Sequence, residues 1–172
     1  MVHSEHEGAP PDMDRTYRVR RPVSAGADSR IEDAAGRSAF LVDGTTDSAS
    51  RVVTLRAADG ADIYHVDQRL RIRDTIEIEG AGGIVATVRK ALVPPLRERV
   101  EVTLADGGRW AVEGRISDHE YQVMNGVVVV AEVSRRWTAD PGEFGIRVGL
   151  GADDALVVLI TIAIASITSP VA

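Results

Sequence analysis

The sequence predicts an all-β domain with one helix: a closed antiparallel β-barrel around a buried hydrophobic C-terminal helix. Three observations carry this. From Tyr17 to about Val148 the chain repeats short runs that alternate apolar with polar residues, each ended by a turn signal. The runs follow one another too closely for crossover helices, so neighbouring strands pair antiparallel. Finally, Ala155–Ile167 carries no charge and is apolar on every side, so it must be surrounded on every side. After so many strands, a helix of that kind fits only inside a closed barrel.

The elements follow in order. Residues 1–15 have no hydrophobic period and hold two prolines, with four acids against one base, so they are expected to form a disordered acidic tail. Residues 16–172 form the folded domain. Tyr17-Arg-Val-Arg20 opens it, followed by Arg30–Glu32 and Ser38–Val42, with Asp43-Gly44 read as the turn that closes the latter. The further runs are Val52–Leu55, Ile63–Val66, Arg69–Arg73, Ile76–Ile78, Ile84–Val88, Val100–Leu104, Trp110–Val112, Glu120–Val123, Val127–Val133 and Phe144–Val148. Asp59-Gly60, Gly80–Gly83, Asp106–Gly108, Asn125-Gly126 and Pro141-Gly142 punctuate them. Shifting Ile76–Arg89 by 45 positions lays it on Tyr121–Ser134, a repeated hairpin with Ala-x-Val in its second strand and basic residues close behind. The terminal helix spans about residues 154–168, with Asp153 or Asp154 placed to cap it. At roughly 20 Å it is shorter than the roughly 30 Å of a bilayer core, so no transmembrane span is expected.

Composition narrows the chemistry. In 172 residues there is no cysteine, which removes disulfides, zinc–cysteine sites, iron–sulfur clusters and thiol nucleophiles. A net charge of −6 opposes bulk nucleic-acid binding. No charged-then-apolar leader precedes Tyr17, so a cytoplasmic location is expected.

Several stretches match in order and spacing what is found elsewhere. They are Tyr17–Arg20, Ile31–Gly44, Ile76-Glu-Ile with Gly83–Lys90, Val129–Trp137 and the terminal apolar run. Together they resemble the LURP-one-related family, itself related in fold to the Tubby C-terminal domain and the phospholipid scramblases. The resemblance implies a barrel of about twelve strands closed around the helix. It brings no established enzymatic activity, and relatives in the wider fold bind phosphoinositides or act at bilayers. Family members often carry an aspartate late in the helix, where this chain reads Ala163-Ile-Ala-Ser166.

No catalytic constellation appears. The glycine clusters complete neither phosphate-loop pattern, and no serine sits in a nucleophile elbow. His3, His6, His65 and His119 are scattered, and strand alternation would turn Asp118 and Glu120 away from His119, so no metal or cofactor is expected. Asp59, Asp62 and Asp67 read as turn residues.

Arginine is the informative type. Arg69, Arg71 and Arg73 recur at period two, which puts all three on one face of a strand; Arg18 and Arg20 do the same around Val19. Arg89-Lys90 and Arg135-Arg136 end the repeated hairpins. Guanidinium is the better fork for phosphate. Arg69, Arg71, Arg73, Arg89, Lys90, Arg135 and Arg136 are therefore the candidate anionic-ligand residues, against the plain alternative that outward strand positions must be polar. The expectation is a non-enzymatic module that binds an anionic phospholipid headgroup or a protein partner, peripheral to the membrane in the first case. A small-molecule carrier or enzyme with a site at a barrel mouth, and a membrane-anchored scramblase-like protein, are the alternatives.

Overall fold

The computed structural model describes residues 15–20, 29–46, 50–69, 75–93, 97–140, 142–149 and 151–168. In chain order these form β1 (Thr16–Arg20), β2 (Ser29–Asp33), β3 (Ser38–Thr46), β4 (Ser50–Ala57), β5 (Asp62–Arg69), β6 (Thr75–Gly80), β7 (Gly83–Val93), β8 (Arg97–Leu104), β9 (Arg109–Arg115), β10 (Glu120–Asn125), β11 (Val128–Ser134), β12 (Glu143–Val148) and α1 (Asp154–Thr168). Every strand pairs with its sequence neighbours, and β1 pairs with β12 to close the barrel. The expected fold class is the observed one.

Period two explains the wall. In β6, Ile76 and Ile78 point inward and are buried while Glu77 and Glu79 are exposed; in β8, Val100 and Val102 are buried between exposed residues. A barrel of this many strands is too wide for wall side chains alone to fill. α1 fills it. Val158, Leu159, Ile160 and Ile164 are almost fully buried, each stabilising the fold by roughly 1.5–3 kcal/mol. The hydroxyls of Thr161, Ser166 and Thr168 do not offend this apolar setting, because each donates to a carbonyl of the preceding turn, Val158 O, Ile162 O and Ile164 O, at 2.7–3.0 Å.

Two aspartates fix where α1 begins. Asp153 is the cap, its Oδ1 accepting from Leu156 N at 2.9 Å, while its Oδ2 accepts from the Tyr64 hydroxyl at 3.2 Å. Asp154 accepts from the Tyr17 hydroxyl and from the guanidinium of Arg15. Burial, with the Asp154 hydrogen bond behind it, pushes the Tyr17 phenol well above its ordinary range.

Three expectations are corrected. Asp43-Gly44 is not a turn: β3 runs on to Thr46, and Asp43 and Gly44 pair with Thr54 and Val53 of β4. Arg69 does not open a separate strand but ends β5, opposite Ser50; the same strand holds Asp67, which is thus not at a turn. His119 does not alternate within a strand. It follows a 3-10 turn at Ile116–Asp118 in the left-handed region (φ 54°) and is buried, its ring stacked on Phe144 at 4.6 Å.

Candidate functional site

In an antiparallel barrel all odd-numbered strands end at one rim. That rim receives Arg20 of β1, Arg69 of β5, Arg89 and Lys90 near the end of β7, Arg115 of β9, and Arg135-Arg136 just beyond β11. Residues on five separate parts of the sequence thus reach one end of the molecule. α1 starts at the opposite rim, beside Tyr17 at the start of β1, and runs inside the barrel toward the basic one. Its C-terminal carbonyls carry the negative end of the helix dipole, which cations favour.

The candidates differ in detail. Arg89 is exposed on the outer face, between Thr75 and Glu101 in register, with no ion-pair partner among the described residues. Lys90 falls on the inward face after Ala86 and Val88, so the two neighbours leave opposite sides of β7. Arg135 and Arg136 occupy a 3-10 turn, Arg135–Trp137, that Ser134 caps by accepting from Arg136 N at 3.1 Å. Arg136 Nε lies 3.8 Å from Glu120, which also accepts from Ser134 Oγ at 2.8 Å and Arg135 N at 3.1 Å. Burial opposes the charge on Glu120, yet these donors, with Arg136 and Arg115, hold its carboxyl below the usual range. Arg71 and Arg73 lie outside the described residues.

Arg18 and Arg20 are not a bare basic pair. Arg18 bonds to Glu32 and lies 3.8 Å from Glu143, while Arg20 Nε sits 3.0 Å from Glu143 and Arg20 reaches Glu32 at 3.9 Å. Glu32 and Glu143 are both buried, and the hydrogen bond from Arg18 holds the Glu32 carboxyl below its ordinary range. These four charges close on one another.

A second feature, absent from the sequence expectations, lies on the outer wall. Trp137 leaves the 3-10 turn and folds back over Gly145 of β12, and the Arg147 guanidinium stacks on its ring at 4.2 Å from the centroid. The groove beside it has a volume of about 350 Å³. Its signal in the sequence is Gly145, a glycine at an outward strand position, which marks close approach of another group. Trp137 itself lies outside the strands, in the 3-10 turn that follows β11.

Comparison with known proteins supplies the rest. Residues 15–165 match the LURP-one-related family. A solved X-ray structure of a protein from Arabidopsis thaliana has the same fold, with a TM-score of 0.66 at 15% identity, over 92% of this chain and 94% of that one. No curated protein matches in sequence. Among the described residues no helix is long and apolar enough to cross a membrane.

Proposed function

The chain belongs to the LURP-one-related family, and from that premise we propose that it is a non-enzymatic binding module whose basic rim meets an anionic phospholipid surface. The observation that carries this reading is topological: closure of the barrel gathers Arg69, Arg89 and the Arg135-Arg136 turn, which are far apart in sequence, at one end. The filled lumen supports it further, because α1 occupies the space an internal ligand would take.

The mode of attachment follows from what the two rims carry. Among the described residues the exposed aliphatic side chains, Ile84, Val127, Val128 and Val129, lie at or beside hairpin tips on the opposite rim. Contact through the described cations of the basic rim therefore gains charge. Each cation near an anionic surface contributes about 1 kcal/mol, and at about 0.1 M salt attraction reaches only about 10 Å. The attachment is weak, reversible and salt-sensitive.

Flotation of the full chain with vesicles of phosphatidylcholine and phosphatidylserine tests this. At low salt the protein should float, and at high salt it should not. The combined Arg69→Gln, Arg71→Gln, Arg73→Gln and Arg89→Gln variant should stay at the bottom at both, with unchanged thermal stability, since substitutions that remove no apolar side chain carry little packing energy. Failure of the parent to float at low salt, or equal flotation of the variant, would overturn the reading.

A further inference from the structure

The groove on the outer wall is lined by Thr16 and Arg18 of β1, Asp33 at the end of β2, Trp137, and Gly145 and Arg147 of β12, among others. Its volume of about 350 Å³ lies at the small end of the range for ligand sites. Three of its lining residues carry charge. Arg18 is engaged by Glu32 and Glu143. The Asp33 carboxylate is consumed within its own turn, accepting from Arg37 N at 3.0 Å, Ala35 N at 2.9 Å and Arg37 Nε at 3.2 Å.

Arg147 is different. No carboxylate of the described residues lies within ion-pair distance of it, although Glu132 stands opposite in register on β11. One face of its guanidinium is covered by the Trp137 ring, which leaves the N–H edge as the part that can bond. The indole is itself seated. A Cβ on Gly145 would meet Trp137 Cβ and Cε3 at 3.1 Å, so the absence of a side chain there is what lets the ring lie against β12. Thr138, the next residue, ties the turn down through its hydroxyl, which donates to Arg135 O at 3.0 Å with Glu143 O at 3.2 Å. The result is a cation with a fixed orientation, a donor edge in want of an acceptor and a flat apolar wall beside it.

We propose that this groove binds a small organic oxyanion, a carboxylate or a phosphate monoester, carried on a flat apolar body: the oxyanion meets the Arg147 edge and the body lies along Trp137. A bare inorganic anion would leave most of the groove empty. A neutral analogue would leave the Arg147 edge unmatched. The site lies on the barrel wall and shares no residue with the basic rim proposed to meet lipid.

Titration of the full chain with benzoate, phenyl phosphate, benzamide and inorganic phosphate tests it, read by tryptophan fluorescence and by calorimetry. At least one of benzoate and phenyl phosphate should saturate and shift the fluorescence, and the stronger of the two identifies the oxyanion. Benzamide and inorganic phosphate should do neither at the same concentration. Arg147→Gln should weaken the oxyanion by about tenfold or more, the scale of one charge-assisted bond, with Arg147→Lys intermediate and both circular dichroism spectra unchanged. The rim variant should bind benzoate and phenyl phosphate as the parent does, and Arg147→Gln should float as the parent does, so the two readings fail separately. Equal binding of benzamide, undiminished binding by Arg147→Gln, or no saturation by either oxyanion up to roughly 10 mM would overturn the proposal.

Discussion

The hairpins β6–β7 and β10–β11 start as copies and end as different objects. Each opens with a six-residue strand and a two-residue turn, and the register slips at Ile78/Glu79 in one and Val123/Met124 in the other, 45 positions apart. The displaced carbonyls do the same work: Val85 O accepts from Ala105 N at 3.0 Å and Val130 O from Gly149 N at 2.7 Å. The copies then part. β7 continues for eleven residues, whereas β11 stops after seven at Ser134, which stands where the first copy has Arg89. Glu120 stands where the first copy has Thr75, and it holds both Ser134 Oγ and Arg135 N. Two polar residues at the end of a hairpin thus decide whether the strand runs on or folds out. Folding out is what carries Trp137 over Gly145 and creates the groove.

The largest effect should come from what the hairpins share. α1 packs against β6, β7, β11 and β12, so deleting residues 153–172 uncovers the inward faces of both copies together. The expected outcome is loss of near-UV circular dichroism and aggregation. A truncated chain that stays monomeric with an unchanged spectrum would show that α1 is not the core. Next in size is Gly114→Ala, which strikes the second hairpin alone. Gly114 has φ +126°, and an added Cβ would stand 2.6 Å from Glu120 O and 2.9 Å from Tyr121 Cα. Strain and overpacking together should cost about 3 kcal/mol or more. Amide exchange should quicken across β9 and β10 and change little in β6 and β7.

Ser134→Ala comes third and would make the second copy more like the first. Loss of the cap should cost about 1 kcal/mol and loosen Trp137, visible in its fluorescence. The same variant has a signature in acid. Because the folded state holds the Glu120 carboxyl below its ordinary range, the stability it contributes is present above the ordinary glutamate pKa and is lost as pH falls through the lowered value. In the parent, the Trp137 signal should therefore survive into pH below the ordinary glutamate range. In Ser134→Ala, which lacks the hydroxyl donor, the transition should move upward in pH. A transition at the same pH in both would detach Glu120 from the turn.

Legibility followed the range of the interactions. The turns at Asp59, Asp106 and Asp140 were readable because each is local: the carboxylate accepts from an N–H two residues on, at 2.8–3.0 Å. α1 was readable to its boundaries, since an uncharged run behind a capping aspartate has few alternatives. Asp43-Gly44 has the same turn chemistry and misleads, because unbroken pairing with β4 from Phe40 to Thr46 outweighs a local preference. Arg18 and Arg20 look like a free basic pair until β1 is set between β2 and β12, which bring Glu32 and Glu143. The groove was illegible for a similar reason. Trp137 and Arg147 meet only because β11 ends where it does, and no periodicity announces the end of a strand.

The smallest effect tests the copies in their cores. Tyr121 stands where the first hairpin has Ile76, and both side chains are buried. The tyrosine brings a hydroxyl that the isoleucine lacks, and among the described residues that oxygen is buried with no hydrogen-bond partner. Burial alone pushes its phenol pKa well above the ordinary value. A buried donor without an acceptor costs about 1–3 kcal/mol in lost hydration, while phenylalanine keeps the ring and its packing and leaves a void of only one oxygen. Tyr121→Phe should therefore raise stability by about 1 kcal/mol, a gain of about 2–4 °C in melting temperature for a chain of this size. The reverse exchange, Ile76→Tyr, should destabilise, since the first hairpin has no room made for a ring and would have to bury the hydroxyl too. Were Tyr121→Phe to lower the melting temperature by as much, the hydroxyl would be bonded in the folded protein, and the second copy would have gained a buried polar contact where the first keeps only packing.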